Sequence, residues 1–216
     1  MTQKIVKNSL HSRWSGAQRR IGITGGIASG KTSIANFLEK EKKLTVLDAD
    51  IYSKELLKPG TIWSKKVINR YGKNILIPNS SGINIINRAK LGDIIFSTKS
   101  EQLWLENLLH PLIKNKLIAE INNHQDLQAI VLVIPLLFEL DLSNLCSEIW
   151  LIYCDHEQQI KRLMLRDKLT ESQAEKRIAS QWSLNSKKEF ADVLINNSGQ
   201  LNEWKGQIKM LFNSAH

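Results

Sequence analysis

The sequence predicts an α/β fold in which a parallel sheet of five strands is flanked by helices. Five short apolar segments of strand-like composition alternate with segments that carry apolar residues at helical spacing. Residues 129–134 (AIVLVI) are apolar at every position, which is typical of a central parallel strand covered on both faces. A glycine-rich turn joins the first strand to the first helix, and α/β proteins bind phosphate groups at such turns.

Strands and helices can be assigned along most of the chain. The predicted strands are residues 21–24, 44–47, 129–134, 148–153 and 192–195. The predicted helices are residues 33–38, 51–57, 61–71, 87–96, 101–122, 156–167, 170–181 and 201–212. Pro111 predicts a kink in the fifth of these helices, or a break after His110, because proline has no N–H for the helical hydrogen bond. Between the predicted helix at residues 61–71 and residue 82, the chain is expected to be rich in loops.

The glycine-rich turn, residues 25–32 (GGIASGKT), matches the phosphate-binding pattern G-x-x-x-x-G-K-[ST]. A loop that precedes a helix directs backbone N–H groups and the positive end of the helix dipole toward one point, where an anion binds. Lys31 is predicted to reach the β- and γ-phosphates, and the Thr32 hydroxyl to hold Mg²⁺. The alternative, a chance glycine turn, does not account for the strand, the helix and the Lys-Thr pair together. The predicted ATP-binding residues of the turn are Gly25, Gly26, Ile27, Ala28, Ser29, Gly30, Lys31, Thr32 and Ser33.

Two acids, Asp48 and Asp50, follow the second predicted strand. Ligands of open parallel sheets bind beyond the carboxyl ends of the strands, so acids at this position are well placed for function. Alternation along the strand sends both side chains to the same side if the strand extends that far. One of them could instead be the N-cap of the next helix. We expect one acid to cap or orient, and Asp50 to face the substrate.

A charged segment follows the fourth predicted strand. It contains Arg162 and Arg166 in one helix and a second helix at residues 170–181, which Thr170 and Gln173 are predicted to begin as a capping box. One interpretation is a solvated charged face. The other, which the position after the fourth strand favours, is a mobile lid that brings arginines to the phosphates of ATP.

Composition limits the possible partners without choosing among them. The chain has 216 residues and a formal net charge of +9, which fits a nucleic acid, a membrane surface or a polyanionic small substrate. The two cysteines, Cys146 and Cys154, do not form a C-x-x-C pair, so neither a zinc site nor a disulfide framework is expected. No signal peptide is recognisable, and the longest apolar run is too short to span a bilayer. These features predict a soluble cytoplasmic protein.

The predicted domain organisation has two parts. Residues 1–19 are expected to be a flexible basic N-terminal extension, with a basic arm or an organelle-targeting peptide as alternatives. Residues 20–216 are expected to form one domain, with a core at 20–58 and 128–216. A helical lobe at about 59–127 could hold the second substrate, and the lid lies at about 166–182.

Two absences argue against the common motor and switch families of phosphate-loop proteins. In many of these proteins the central strand ends in an acid that supports Mg²⁺. Here Pro135 follows residues 129–134, and the first acid is Glu139. The chain also lacks an N-K-x-D guanine-recognition motif.

In combination, these segments resemble the dephospho-CoA kinase family over about residues 20–210. The phosphate loop alone identifies only a superfamily, whereas the further segments are specific in this order. They are D-A-D at 48–50, L-L-H-P-L at 108–112, P-L-L-F-E at 135–139, Q-I-K-R-L at 159–163 with Arg166, Arg177-Ile178 with Gln181, and Asp192 with N-N-S-G at 196–199. Two departures are small: Ala28 stands where the family often has glycine, and Thr32-Ser33 replaces the more usual Ser-Thr order.

The resemblance implies ATP-dependent phosphorylation of the ribose 3′-hydroxyl of dephospho-CoA, which gives CoA and ADP in the last step of coenzyme A biosynthesis. It also implies a P-loop core with a five-stranded parallel sheet, a helical CoA-binding lobe and a lid. Mg²⁺ would accompany ATP as the co-substrate. The expected partners are ATP and dephospho-CoA, with neither nucleic acid nor a membrane, and the expected state is a monomer or a weak homo-oligomer.

The predicted mechanism is in-line transfer of the γ-phosphoryl group. Asp50 is the candidate to orient the ribose hydroxyl and accept its proton, and Asp48 would support Mg²⁺ or fix Asp50. Arg166, with Arg162 as its partner, would close over the phosphates opposite Lys31. His110 is assigned near the substrate as a structural hydrogen-bonding residue rather than as an acid or base. Core packing is expected for Trp63, Trp104, Trp150, Trp182 and Trp204.

Three alternative functions stay open at this point. A nucleoside or nucleotide kinase would have a similar core and lid. An ATP-regulated nucleic-acid-binding P-loop protein would fit the positive charge, although no recognition motif supports it. A catalytically inactive binding module is disfavoured by the presence of both Lys31 and Asp50.

Overall fold

The structure, a computed structural model, describes residues 13–199 and 202–213. The chain divides into two compact units. One comprises the described residues up to Leu47 and from His124 onward, and the other is Asp48–Asn123. In chain order the elements are β1 (Arg19–Gly25), α1 (Lys31–Lys42), β2 (Thr45–Asp48), α2 (Ala49–Leu56), α3 (Ile62–Tyr71), β3 (Leu76–Pro78), β4 (Asn84–Ile86), α4 (Arg88–Ser97), α5 (Lys99–Asn123), β5 (Ala129–Val133), β6 (Glu148–Tyr153), α6 (His156–Asp167), α7 (Glu171–Ala179), α8 (Leu184–Lys188), β7 (Val193–Asn196) and α9 (Trp204–Asn213). Single 3₁₀ turns lie at Lys73–Ile75 and Ser143–Leu145.

The first unit contains a five-stranded sheet with the strand order β2-β5-β1-β6-β7. β1 pairs in parallel with β5 and with β6, and β6 pairs in parallel with β7. The fully apolar β5 lies between β2 and β1, as expected for a strand that is covered on both faces. The predicted α/β P-loop fold is therefore confirmed.

Helices and strands of the first unit bury a common core. Ile21 and Ile23 of β1 are fully buried and belong to one cluster with residues of α1, β5, β6 and α9. Trp150 and Trp204 are members of this cluster, and Trp150 packs edge-on against Phe212 at a ring-centroid distance of 6.0 Å. Core packing is confirmed for these two tryptophans. It is wrong for Trp182, whose surface is 42% exposed, because the segment between α7 and α8 faces a cavity.

The second unit consists of α2 to α5 and a short antiparallel hairpin of β3 and β4. The hairpin was not predicted, because its strands are only three residues long, too short to show an alternating pattern. The Asn79 side chain closes its turn by accepting hydrogen bonds from the backbone N–H groups of Ser81 and Ile83 at 2.9 Å each. Trp104 contributes to the apolar cluster of this unit, and its ring lies edge-on to Tyr71 at 5.7 Å.

The helix that contains Pro111 does not break. α5 runs without interruption from Lys99 to Asn123, so the predicted break after His110 is wrong. Leu105 and Leu109 before the proline and Leu117 after it are all buried. Packing on both sides of Pro111 therefore holds the helix together, despite the N–H group that the proline lacks.

The residues that precede β1 are anchored to the first unit. The Arg13 guanidinium donates to the Phe190 carbonyl oxygen at 2.7 Å, and the Trp14 backbone N–H donates to the Cys146 carbonyl oxygen at 2.8 Å. The Arg20 guanidinium stacks on the Trp14 ring at 3.6 Å. The prediction of a flexible extension is therefore wrong for residues 13–19. Its remaining part, residues 1–12, lies outside the described residues.

The length and composition of the helices bear on whether the chain crosses a membrane. Among residues 13–199 and 202–213, the structure contains no helix with the length and apolar character that crossing a bilayer requires.

Candidate active site

The phosphate loop between β1 and α1 has a backbone that few sequences can adopt. Gly25 and Gly30 have φ angles of 153° and 102°, and a Cβ atom at Gly25 would lie 2.5 Å from the Ile152 carbonyl oxygen. A Cβ atom at Gly30 would overlap the Asn197 amide. Ala28 also has a positive φ, 59°, which costs a non-glycine residue about 1–2 kcal/mol. The alanine found where the family often has glycine is therefore a strained position.

Lys31 is buried at the first position of α1 and is directed back onto the loop. Its ammonium group donates to the carbonyl oxygens of Gly25 at 3.1 Å and Gly26 at 2.8 Å. The hydroxyl-bearing residues Thr32 and Ser33 follow it and are exposed. The positive end of α1, the Lys31 ammonium and two accessible hydroxyl-bearing residues thus lie within one helical turn, which suits the binding of phosphate groups.

Three carboxamide side chains hold the loop from outside. Gln159 Nε2 donates to the Ile27 carbonyl oxygen at 2.7 Å, and Gln181 Oε1 accepts from the Ile27 N–H at 2.9 Å. Asn197 Nδ2 donates to the Ser29 carbonyl oxygen at 2.8 Å. The resemblance contains these three residues, but sequence reasoning gave them no role. No spacing rule could have assigned one, since they come from three separate segments.

The two candidate lid arginines differ in their surroundings. Arg162 donates to the Asn197 carbonyl oxygen at 2.9 Å and lines a cavity of about 290 Å³ with Gly30 and Ser33 of the loop region. Arg166 binds Asp167 through two hydrogen bonds of 2.7 and 3.0 Å. Together with Arg177, Arg166 lowers the pKa of the Asp167 carboxyl group, mainly through its hydrogen bond. In this structure Arg162 borders the phosphate loop, whereas the Arg166 guanidinium is engaged by Asp167.

A buried ion pair occupies the region that follows β5. Lys187 is fully buried, lies 2.8 Å from Glu139 Oε1 and donates to the Pro135 carbonyl oxygen at 2.8 Å. The Thr24 hydroxyl of β1 donates to the same carbonyl oxygen at 3.1 Å. Burial lowers the pKa of Lys187, and the Glu139 charge opposes that shift. The acid noted after Pro135 in the sequence is thus the partner of a buried lysine.

In the second unit, Asp48 is the N-cap of α2. Its Oδ1 accepts a hydrogen bond of 2.8 Å from the Asp50 backbone N–H. Because β2 ends at Asp48 and Asp50 lies in the first turn of α2, the condition for the alternation argument is not met, and the expected capping role falls to Asp48. Asp50 is exposed. Burial, followed by the negative charge of Asp50, raises the pKa of Asp48.

Arg88 and His110 are two further ionisable residues of the second unit, and the pKa of each is lowered. Arg88 was not predicted. It donates to the Lys54 carbonyl oxygen at 3.3 Å, and although it is exposed, desolvation lowers its pKa while the Asp50 charge raises it. Burial lowers the pKa of His110, and its ring has no hydrogen-bond partner among the described residues. The hydrogen-bonding role expected of His110 is therefore not found.

The described residues contain no cluster of three or more His, Cys, Asp or Glu side chains that could hold a metal ion. This composition still fits Mg²⁺, because kinases hold that ion mainly through substrate phosphates and water, with one or two protein ligands. The exposed Thr32 and the Asp48 carboxylate have the oxygen donors that Mg²⁺ prefers.

Comparisons with known proteins agree with this loop and sheet. The family model described as dephospho-CoA kinase matches residues 19–203. A protein from Prochlorococcus marinus named dephospho-CoA kinase is 47% identical over 208 residues, which are 96% of this chain and 99% of that protein.

Two solved structures share the fold. One, from Thermus thermophilus, has a TM-score of 0.70 and 23% identity, and the match covers 93% of this chain and all of that chain. A dephospho-CoA kinase from Campylobacter jejuni has a TM-score of 0.59 and 24% identity, with 92% and 98% of the two chains covered. The phosphate loop, the strand order and the family match over most of the chain agree, and the chain belongs to the dephospho-CoA kinase family.

Proposed function

We propose that this chain transfers the γ-phosphoryl group of ATP to the ribose 3′-hydroxyl of dephospho-CoA, with CoA and ADP as products. The observation that carries the proposal is family membership over residues 19–203, to which a complete phosphate loop adds the expected ATP-binding chemistry. The nucleoside-kinase and nucleic-acid-binding alternatives gain no comparable support.

The phosphate loop is proposed to bind the triphosphate of ATP. Backbone N–H groups at the start of α1 would donate to phosphate oxygens, and the Lys31 ammonium would leave the Gly25 and Gly26 carbonyl oxygens to meet the β- and γ-phosphates. Thr32 would hold Mg²⁺ and Asp48 would support it, and the ion would supply charge neutralisation at the phosphates. Charge that spreads over the γ-phosphoryl group in the transition state is thereby stabilised.

Asp50 is proposed as the residue that orients the acceptor. Its carboxylate would accept a hydrogen bond from the ribose 3′-hydroxyl and then its proton, as the hydroxyl oxygen bonds to the γ-phosphorus and the bond from that phosphorus to the β,γ-bridging oxygen breaks. ADP leaves with the bridging oxygen. Asp48 keeps the Asp50 backbone in place through the N-cap hydrogen bond.

The arginines of α6 are proposed to complete the charge around the phosphates. Arg162 is supported by its position on the cavity beside Gly30 and Ser33. For Arg166 the same role requires its guanidinium to exchange Asp167 for a phosphate when the lid closes. His110 stays a candidate substrate-binding residue of the helical lobe, whose proposed limits are residues 59–127.

A coupled assay of ADP release, with purified protein, MgATP and dephospho-CoA, tests the proposal. Mass spectrometry should identify CoA as the product, and nucleosides or nucleoside monophosphates should be poor acceptors. Faster phosphorylation of a nucleoside or nucleotide than of dephospho-CoA would refute the assigned acceptor. Omission of Mg²⁺ should abolish turnover.

The expected setting is also a proposal. We infer a cytoplasmic enzyme that is a monomer or a weak homo-oligomer and that needs neither nucleic acid nor a membrane. The two cysteines are free and buried, and burial raises the pKa of Cys146 to about 12, which is consistent with a reducing compartment. Light scattering coupled to size-exclusion chromatography measures the oligomeric state.

A further inference from the structure

The Ile27 peptide groups are held from both sides by two glutamines. Gln159 donates to the Ile27 carbonyl oxygen at 2.7 Å, and Gln181 accepts from the Ile27 N–H at 2.9 Å. A carbonyl oxygen only accepts and an N–H only donates, so the two carboxamides must act in opposite senses. Ile27 therefore uses both of its backbone polar groups within the protein, in the middle of the loop.

The side chain of Gln159 lies against Gly26 and leaves no room there for a side chain. A Cβ atom at Gly26 would overlap the Gln159 carboxamide, and the nearest atom of another residue, a methyl group of Leu184, would lie at an ordinary 3.5 Å. The φ angle of Gly26 is outside the left-handed region, so its backbone conformation is open to alanine. A side chain at position 26 would therefore displace the Gln159 carboxamide, although the backbone there would accept it.

Both glutamines are themselves firmly supported. Gln159 is 3% exposed on α6. Gln181 follows α7 and precedes Trp182, whose backbone N–H donates to Glu139 Oε1 at 3.0 Å. Glu139 in turn pairs with the buried Lys187 of α8. The segment that carries Gln181 is thus fixed to the segment that follows β5, and a support of this kind can impose a geometry on the loop.

We infer that Gln159 and Gln181 are positioning residues that fix the phosphate loop at Ile27 in the conformation that receives the nucleotide phosphates. They act on the nucleotide only through the shape of the loop. The inference rests on the proposed function for the identity of the nucleotide. It also connects the lid to the loop, since Gln181 lies two residues beyond the end of α7.

The opposite roles of the two glutamines provide a matched pair of variants. Gln159→Glu and Gln181→Glu add the same charge with nearly the same shape. Gln181→Glu keeps an acceptor for the Ile27 N–H, whereas Gln159→Glu replaces the donor with an oxygen that faces the Ile27 carbonyl oxygen. Calorimetric titration with MgADP should show a loss of affinity for Gln159→Glu about tenfold greater than for Gln181→Glu, since a buried polar group is left unsatisfied.

The pH dependence separates positioning from general damage. Once protonated, the carboxyl group that Gln159→Glu introduces would again donate to the Ile27 carbonyl oxygen. The extra loss of affinity in this variant should therefore shrink as the pH falls from about 7.5 to about 5.5. Equal affinities of the two variants at the higher pH, or an extra loss that does not change with pH, would overturn the inference.

A second pair remains informative if Gln159→Glu does not fold. Gly26→Ala should weaken MgADP binding about tenfold in the wild-type background, and by much less in a Gln159→Ala background, because the overlapping amide is gone. An undiminished effect of Gly26→Ala in that background would contradict the assigned contact. All of these measurements omit the acceptor. A failure of the dephospho-CoA assay would therefore leave them interpretable, and their failure would leave the proposed reaction untouched.

Discussion

The phosphate loop and the acidic turn at Asp48 and Asp50 are both short connections between a strand and a helix, yet they are held in different ways. The loop accepts hydrogen bonds from the side chains of Gln159 and Asn197 and donates one to the side chain of Gln181, and its lysine is buried. The acidic turn is held by local capping, in which Asp48 Oδ1 accepts from the Asp50 backbone N–H two positions away, and Asp50 is exposed. Long-range packing therefore sets the shape of the loop, whereas local capping suffices for the turn.

The comparison predicts the largest effect at Lys31. Lys31→Ala removes a buried cation from the loop and should lower kcat about a hundredfold to a thousandfold, the usual loss when one preorganised donor is removed. The coupled ADP-release assay measures the effect. The matched control is Lys40→Ala, which makes the same charge change on the exposed part of α1 and should keep near-normal activity. Near-normal turnover by Lys31→Ala would remove the loop from its assigned role.

At the acidic turn, turnover should depend on the charge of the Asp50 carboxylate, even when the shape of the side chain is kept. Asp50→Asn should lower kcat about a hundredfold with little change in fold, because the amide cannot accept the proton of the hydroxyl. Steady-state kinetics with dephospho-CoA provide the test, and Glu55→Gln on the same helix is the control. If only the KM for dephospho-CoA rises, Asp50 is a binding residue and not the proton acceptor.

The arginines of α6 should give an intermediate effect. Arg162→Lys loses the hydrogen bond to the Asn197 carbonyl oxygen and the planar fork beside the loop, so the KM for ATP should rise about tenfold. Arg166→Lys should raise it as well if the lid closes with this side chain. Lys161→Arg, an exposed and also charge-conserving change on the same helix, serves as the control. Unaltered ATP kinetics in Arg166→Lys would exclude that arginine from the lid role.

The smallest predicted effect is a pH-dependent change in stability at Asp48. Its pKa is raised in the folded chain, so the folded state binds more protons and stability falls as the pH rises above the ordinary value of 3.8. Asn keeps the capping oxygen without the charge. The free energy of unfolding of Asp48→Asn should therefore exceed that of the wild type near pH 7 by about 1 kcal/mol or less, and this gain in stability should vanish below pH 3.8.

Denaturant titrations at several pH values measure this gain. In an Asp50→Asn background it should be smaller, because the Asp50 charge is one cause of the raised pKa of Asp48. A gain that persists at low pH would point to the cap and not to the carboxylate charge.

Local sequence patterns predicted the sheet well. β6 covers the six residues that were predicted, because its apolar run is bounded by polar residues on both sides. The capping box of α7 also forms as predicted, with the Thr170 side chain and Gln173 bonded to each other's backbone N–H groups. Each of these features depends on residues that are close in the sequence.

Features that depend on distant residues were not predicted. The unbroken α5, the exposure of Trp182 and the burial of Lys187 all follow from packing between segments far apart in the chain. The same holds for the candidate site. The motif identified the loop residues, but the glutamines that hold Ile27 lie more than 130 residues further along the chain. The role of Asp48 as a helix N-cap, by contrast, could be predicted from the local sequence.

The anchoring of Arg13 and Trp14 has a practical consequence for protein engineering. A recombinant fragment trimmed to the family match, which starts at residue 19, would lose the guanidinium that binds the Phe190 carbonyl oxygen and the indole beneath Arg20. Such a fragment would leave the Phe190 carbonyl oxygen and the Arg20 guanidinium without these partners, and would be a poor choice for crystallisation. Fragments that retain residue 13 keep both contacts.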